Sequence, residues 1–203
     1  MMNQPTPRII PIQPLPPVVE SDDISVLSPA EEWNEDRKAL DQLSRDGNWP
    51  EALKILKRLS TKHKNTEIYK ALAQRIWVGL KTQTPAIEVV QSLFHLLNTL
   101  GPRHEIAPAI CALAHLIAKH RTPQHEDRDL AIGQSQQMFS IVCDSLNIVG
   151  DEAFKIWTTS NRMDQPDYYV PIVLHGLDIM VGDDWWIDKI GLQKELEQVQ
   201  QAV

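Results

Sequence analysis

From Ser28 onward apolar residues recur at intervals of three and four, and no stretch alternates with period two long enough to make a strand. The pattern predicts an all-α chain of about nine helices. The first opens at Ser28-Pro29-Ala30-Glu31, with Ser28 as N-cap, Pro29 at the first helical position and Glu31 at the third. It runs to about Arg45 and stops at Asp46-Gly47-Asn48. Trp49-Pro50-Glu51 starts a second helix to about Thr61, with Ala52, Leu53, Leu56 and Leu59 on one face. A third spans roughly 66–80, with Tyr69, Leu72, Ala73, Ile76 and Trp77 at three-and-four spacing. Thr84-Pro85 caps a fourth, which Gly101-Pro102 ends.

The fifth segment differs in kind. Ala107–Ala118 is apolar on nearly every side, with Pro108 and His115 as its exceptions. A helix apolar all round must be buried all round, and this one falls well short of the ~20 residues that a membrane span needs. It is therefore expected to be the central helix, wrapped by the others. A sixth helix is expected over about 127–146, carrying Ala131, Met138, Phe139, Val142 and Leu146. A seventh begins at Gly150-Asp151-Glu152 and carries Phe154, Ile156 and Trp157. An eighth covers about 168–181, and Gly182-Asp183-Asp184 then leads through Trp185-Trp186-Ile187 into a last amphipathic helix to about Gln200.

Residues 1–27 stand apart from this single helical domain of residues 28–203. Prolines at 5, 7, 11, 14, 16 and 17 fix φ and remove donors, which predicts extended, polyproline-like chain. Ile9, Ile10, Ile12, Leu15, Val18 and Val19 are spaced through it. Two readings are open: a disordered terminal tail, or a strap that docks by its aliphatic side chains in a groove of this domain or of a partner.

Residues 39–77, ALDQLSRDGNWPEALKILKRLSTKHKNTEIYKALAQRIW, resemble a tetratricopeptide-type helical hairpin. Gly47-Asn48-Trp49-Pro50-Glu51-Ala52-Leu53 looks like the turn between the two helices of such a repeat, with Ala52 as the small residue that lets them approach. Ala86 lies 34 residues further on, one repeat period, although Thr84-Pro85 there replaces the glycine turn and no third copy follows near His120. The resemblance covers about residues 30–100 and implies a protein-binding scaffold. Stacked hairpins need about three repeats to stand alone, so the second half must close the core by other packing.

A net charge of −7 argues against a phosphate-binding surface, since nucleic-acid affinity comes chiefly from clustered Lys and Arg. The densest basic run, Lys54, Lys57, Arg58, Lys62 and Lys64, lies on and just after a short amphipathic helix. Cys111 and Cys143 both fall in apolar helical stretches and read as packed thiols in a reducing compartment. With no secretory pattern at the N-terminus and no membrane-length apolar run, a cytoplasmic protein is expected. No phosphate loop, dinucleotide fingerprint or nucleophile elbow is present, and no cofactor is expected.

His115, His120 and His125 are spaced by five, and His104 precedes them by eleven. A helical metal pair needs spacing of three or four; five residues turn the side chain by about 140°. His120 and His125 straddle Thr122-Pro123 and converge only through a loop. One reading makes His104, His120, His125 and Asp127 the centre of a metal-dependent hydrolase-type enzyme. The other makes Lys119 and His120 favourable charges at a helix C-terminus. Cys111 and His115 share a helix face, as a nucleophile and its base would, yet a reactive thiolate needs electropositive, partly exposed surroundings that these apolar neighbours do not offer. Arg103, His104, Glu105, Arg121, Asp127 and Arg128 read either as a polar network joining both ends of the fifth helix to the sixth, or as solvated loops.

Gly182-Asp183-Asp184-Trp185-Trp186-Ile187-Asp188 does not supply the oxygen spacing of a calcium loop. Asp183 or Asp184 is expected to N-cap the last helix. One tryptophan is expected in the core and the other on the surface as an anchor for a partner. The favoured function is a non-catalytic adaptor, scaffold or assembly factor of a larger cytoplasmic complex, with protein partners, no nucleic acid and no membrane, and with its oligomeric state open. Its expected contact residues are Trp49 and Pro50, the strap residues Ile10, Ile12 and Leu15, and Trp185 and Trp186.

Overall fold

Residues 28–61, 67–121 and 127–194 are described by a computed structural model, and among them the chain is all-α. The helices are α1 (Pro29–Arg45), α2 (Trp49–Thr61), α3 (Ile68–Lys81), α4 (Ala86–Leu100), α5 (Ala107–His120), α6 (Arg128–Leu146), α7 (Asp151–Ser160) and α8 (Pro166–Val181). A ninth begins at residue 189 and is described to 194. Ile10, Ile12 and Leu15 of the strap, and His125 of the histidine series, lie outside the described residues.

The start of α1 is the expected capping box. The Glu31 N–H donates to Ser28 Oγ at 3.3 Å, while the Ser28 N–H and hydroxyl donate to Glu31 Oε2 at 2.8 and 2.7 Å. These bonds hold the Glu31 carboxyl below its ordinary pKa. Gly47, at φ +68°, makes the reversal into α2 that a Cβ would strain. Successive helices then pack on one another from α1 through α6, with α8 returning against α3 and α5. The buried apolar residues from Trp33 to Leu192 form one continuous core. Ala52 and Ala86, the two small residues one repeat period apart, are both buried within it.

α5 is buried as its composition requires, enclosed by α4, α6 and α8. It is not alone in this. Every residue of α3 from Ala71 to Gly79 is buried, including Gln74 and Arg75. The one-sided reading of α3 misplaces Tyr69, which is 49% exposed. The other face is covered because α8 and the chain that follows it lie across it.

α7 is the opposite case, with no buried residue. Ile156 of α7 and Leu146 of α6 are exposed; α7 docks through Phe154 and Trp157, whose rings meet Phe139 of α6 at 5.9 and 6.3 Å.

The C-terminal stretch departs from expectation. Gly182, at φ +62°, ends α8, and residues 183–188 are non-helical. The N-cap of the last helix is Asp188, whose Oδ1 accepts the Gly191 N–H at 2.8 Å, not Asp183 or Asp184. The reason lies in long-range bonds that a helix cannot make. The Trp186 N–H donates to Gln74 Oε1 at 2.7 Å and the Asp188 N–H to Ser44 Oγ at 3.1 Å. Extended backbone here also sends the two indoles to different neighbours: Trp186 packs edge-on to Trp33 at 5.6 Å and Trp185 to Trp77 at 5.5 Å.

Candidate functional site

A groove of about 580 Å³ lies between the start of α2 and the α3–α4 turn. Trp49, Pro50 and Leu53 line one side; Thr82, Gln83, Thr84 and Pro85 line the other. The two sides lie 34 residues apart in the sequence, from Pro50 to Thr84, and the packing of α2, α3 and α4 brings the two turns together. Trp49 is 8% exposed and forms floor, whereas Pro50 is exposed at the edge. Lys54, Lys57 and Glu88 complete the rim. Lys54 is held by Glu51 at 2.6 Å, while Lys57 makes no ion pair among the described residues.

The turn side of the groove is locked from behind. Arg121, just past α5, donates from Nη1 to the Gly79 carbonyl at 2.6 Å and the Thr84 carbonyl at 3.4 Å, and from Nη2 to the Leu80 carbonyl at 2.9 Å. A guanidinium fork thereby satisfies carbonyls at the end of α3 that the helix leaves open. Thr82 adds a hydroxyl bond to the Val78 carbonyl at 2.9 Å and lies 2.7 Å from the Thr84 hydroxyl. Burial lowers the Arg121 pKa from its ordinary value.

This corrects the proposed polar network. Arg121 bonds α3 rather than α6, because its position beyond α5 faces the open carbonyls of α3. Arg103 does reach α6, donating from Nε to the Ser145 carbonyl at 2.9 Å, again at a helix C-terminus. His104 and Glu105 are exposed, and His104 Nδ1 accepts only the nearby Ile106 N–H at 3.4 Å. They rim a second cleft of about 540 Å³ together with His175, Ile172 and Ile179 of α8. Asp127 stands just before α6 and Arg128 is its first residue.

Among the described residues, His104 and His120 do not come together. His104 precedes α5 and His120 ends it, so a helix of about 21 Å separates them. No group of three potential metal ligands occurs among the described residues. His115 lies near Ser135 instead, Nδ1 to Oγ 3.1 Å; since the Ser135 hydroxyl donates to the Ile132 carbonyl at 2.8 Å, the imidazole is the donor. Burial, with Lys119 and His120 adding repulsion, lowers the His115 pKa. Burial likewise pushes the Cys111 thiol up to about 12, which leaves it no nucleophilic role near neutral pH.

Trp185 and Trp186 serve the chain's own fold. Trp186 is 4% exposed, and Arg37 stacks over its ring at 4.3 Å. Lys189 lies 4.1 Å from the Trp185 ring centre. Asp184 accepts from Lys70 at 2.7 Å and faces Arg37 at 3.6 Å. The Lys70 bond, with smaller help from the Trp186 side chain and Arg37, holds the Asp184 carboxyl below its ordinary pKa. Of the two adjacent tryptophans, Trp186 is thus the one in the core, and Trp185 is half-buried beside it.

Sequence reasoning missed Arg75. It lies on α3, 6% exposed, and lines a small cavity that shares Leu53, Thr84 and Glu88 with the groove. Periodicity gave no signal, because Arg75 falls on the flank of the Leu72–Ile76 stripe and is buried only when α4 closes over it. Compared with protein-family models, curated proteins and solved structures, the chain matches none.

Proposed function

We propose that this chain is a non-catalytic protein-binding adaptor of a larger cytoplasmic assembly, which takes a short peptide segment of its partner in the Trp49–Pro85 groove. The observation that carries the reading is an open, apolar-floored groove whose far wall is fixed by three Arg121 bonds to backbone carbonyls. A groove set before binding costs less ordering when a peptide enters. The packing of α1 to α4 as successive hairpins, with Ala52 and Ala86 buried, supports the tetratricopeptide-like reading of this half. Two free thiols suit a reducing compartment.

The test is selection of a phage-displayed random dodecapeptide library on the full chain, followed by affinity measurement on synthetic peptides. Leu53→Lys places a charge on the apolar side of the groove at a half-buried position. Selected peptides should lose at least tenfold in affinity for this variant while its circular dichroism spectrum stays unchanged. Peptides that bind the variant as well as the parent chain would remove the groove from the proposal.

A further inference from the structure

Arg75 has no function in holding the fold that its contacts reveal. It is 94% buried by its 6% exposure, yet it makes no hydrogen bond or ion pair among the described residues. Burial lowers its pKa, and Glu88 offsets this only through its field. The Arg75 nitrogens are not among the sealed polar atoms that lack a partner, so the guanidinium stays open to a small group that enters beside it. The other titratable group facing it from α4 is His95, whose pKa is lowered by burial and by the Arg75 charge.

The space in front of Arg75 is small and adjoins the groove. It measures about 10 Å³, and Gly79, Thr84, Glu88 and Ser92 surround it. That is roughly the room that one water-sized group requires. A single carboxylate oxygen fits; an aliphatic branch or a ring does not. Above it the groove offers an apolar floor and, at the rim, Lys54 and Lys57. Lys54, Lys57 and Arg75 outnumber Glu51 and Glu88 here, in a chain whose net charge is −7. The groove is thus locally opposite in sign to the rest of the molecule.

We propose that the groove is selective for an acidic peptide segment, in which an aspartate or glutamate side chain beside apolar or proline residues extends one carboxylate oxygen to Arg75. The inference rests on the groove being the binding site. Arg75 has no partner among the described residues and acquires one on binding, which makes an acid distinguishable from its amide. Charge-assisted bonds to a guanidinium are about twice as strong as neutral ones, and leaving a buried charge unpaired is penalised.

The experiment uses the full chain and the peptides selected on it. Each peptide is synthesised in matched pairs, Asp or Glu against Asn or Gln, and binding is read by fluorescence polarisation. The expected result is at least a tenfold preference for the acid. Arg75→Met should abolish that preference and melt at or above the temperature of the parent chain, because an unpaired buried charge is replaced by an apolar side chain of similar length. Glu88→Gln, which removes the opposing charge, should tighten acid binding severalfold. Peptides that bind but do not distinguish acid from amide, or that keep their preference in Arg75→Met, overturn the acidic selectivity while leaving the groove reading intact. An Arg75→Met chain that melts well below the parent overturns it as well, by showing Arg75 to be structural. Failure to select any peptide overturns both readings.

Discussion

Trp186→Ala tests whether the C-terminal stretch is part of the fold or a partner surface. The side chain is 4% exposed, meets Trp33 edge-on at 5.6 Å and lies under Arg37 at 4.3 Å. Truncating a buried large aromatic costs about 3–5 kcal/mol. The edge-to-face contact (about 0.5–1.5 kcal/mol) and the cation–π contact fall within that figure, since the same atoms are removed. For a chain of this size each kcal/mol lowers Tm by about 2–4 °C, so a fall of roughly 6–20 °C is expected. The assay is thermal unfolding followed by circular dichroism, with Trp185→Ala as the control. Trp185 is only half-buried, against Trp77 and Lys189, and should lose less than half as much. A Trp186→Ala chain melting within about 2 °C of the parent, or less affected than Trp185→Ala, would refute the packing described.

Other consequences are as direct. Arg121→Met removes two bonds to carbonyls at the end of α3 and one to the α3–α4 turn and should cost roughly 2–3 kcal/mol in urea unfolding, with Lys recovering only part of it. The folded pKa of Asp184 is depressed, so its contribution to stability is present above the unfolded value near 3.8 and is lost as pH falls through the folded value; Asp184→Asn should lack that acid-sensitive step in Tm. His95 and His115 are held below 6.5, so the unfolded chain binds more protons there and stability declines as pH falls below about 6.5; His115→Gln should flatten this slope. Iodoacetamide should modify half-buried Cys143 slowly and Cys111, buried with its thiol near 12, only on unfolding; mass spectrometry of the native protein reads both.

Local signals were legible where the physics is local. The Ser28–Glu31 capping box, the Trp49 start of α2 and the all-round burial of α5 depend on residues within a few positions of one another. The sites that shape the groove depend on distant ones. Arg121 reaches carbonyls about 40 residues earlier, and Trp186 is fixed by Gln74 across 112 positions. Neither pairing leaves a periodic trace. The last helix starts later than its spacing predicts for the same reason: helical spacing from Trp185 competes with backbone bonds to Gln74 and Ser44, and the bonds prevail. Trp49 and Pro50 were singled out as a turn, and the turn does line the groove; their joining with Thr84 and Pro85 required the hairpins to be stacked.

α3 connects these observations. It carries Lys70, Gln74 and Trp77, which receive the C-terminal stretch. Its last turn carries Gly79 and Leu80, which receive Arg121, and Arg75 lies one turn before Gly79. A helix held at both ends by segments from the second half of the chain has little freedom to shift, so the wall that it gives the groove keeps its place. The side of this helix that α2 and α4 leave open is covered by α8 and by residues 183–188. The same closure explains why a polar helix face could be buried at all: Gln74 gains a backbone partner from the covering segment, while Arg75, facing the groove side, gains none.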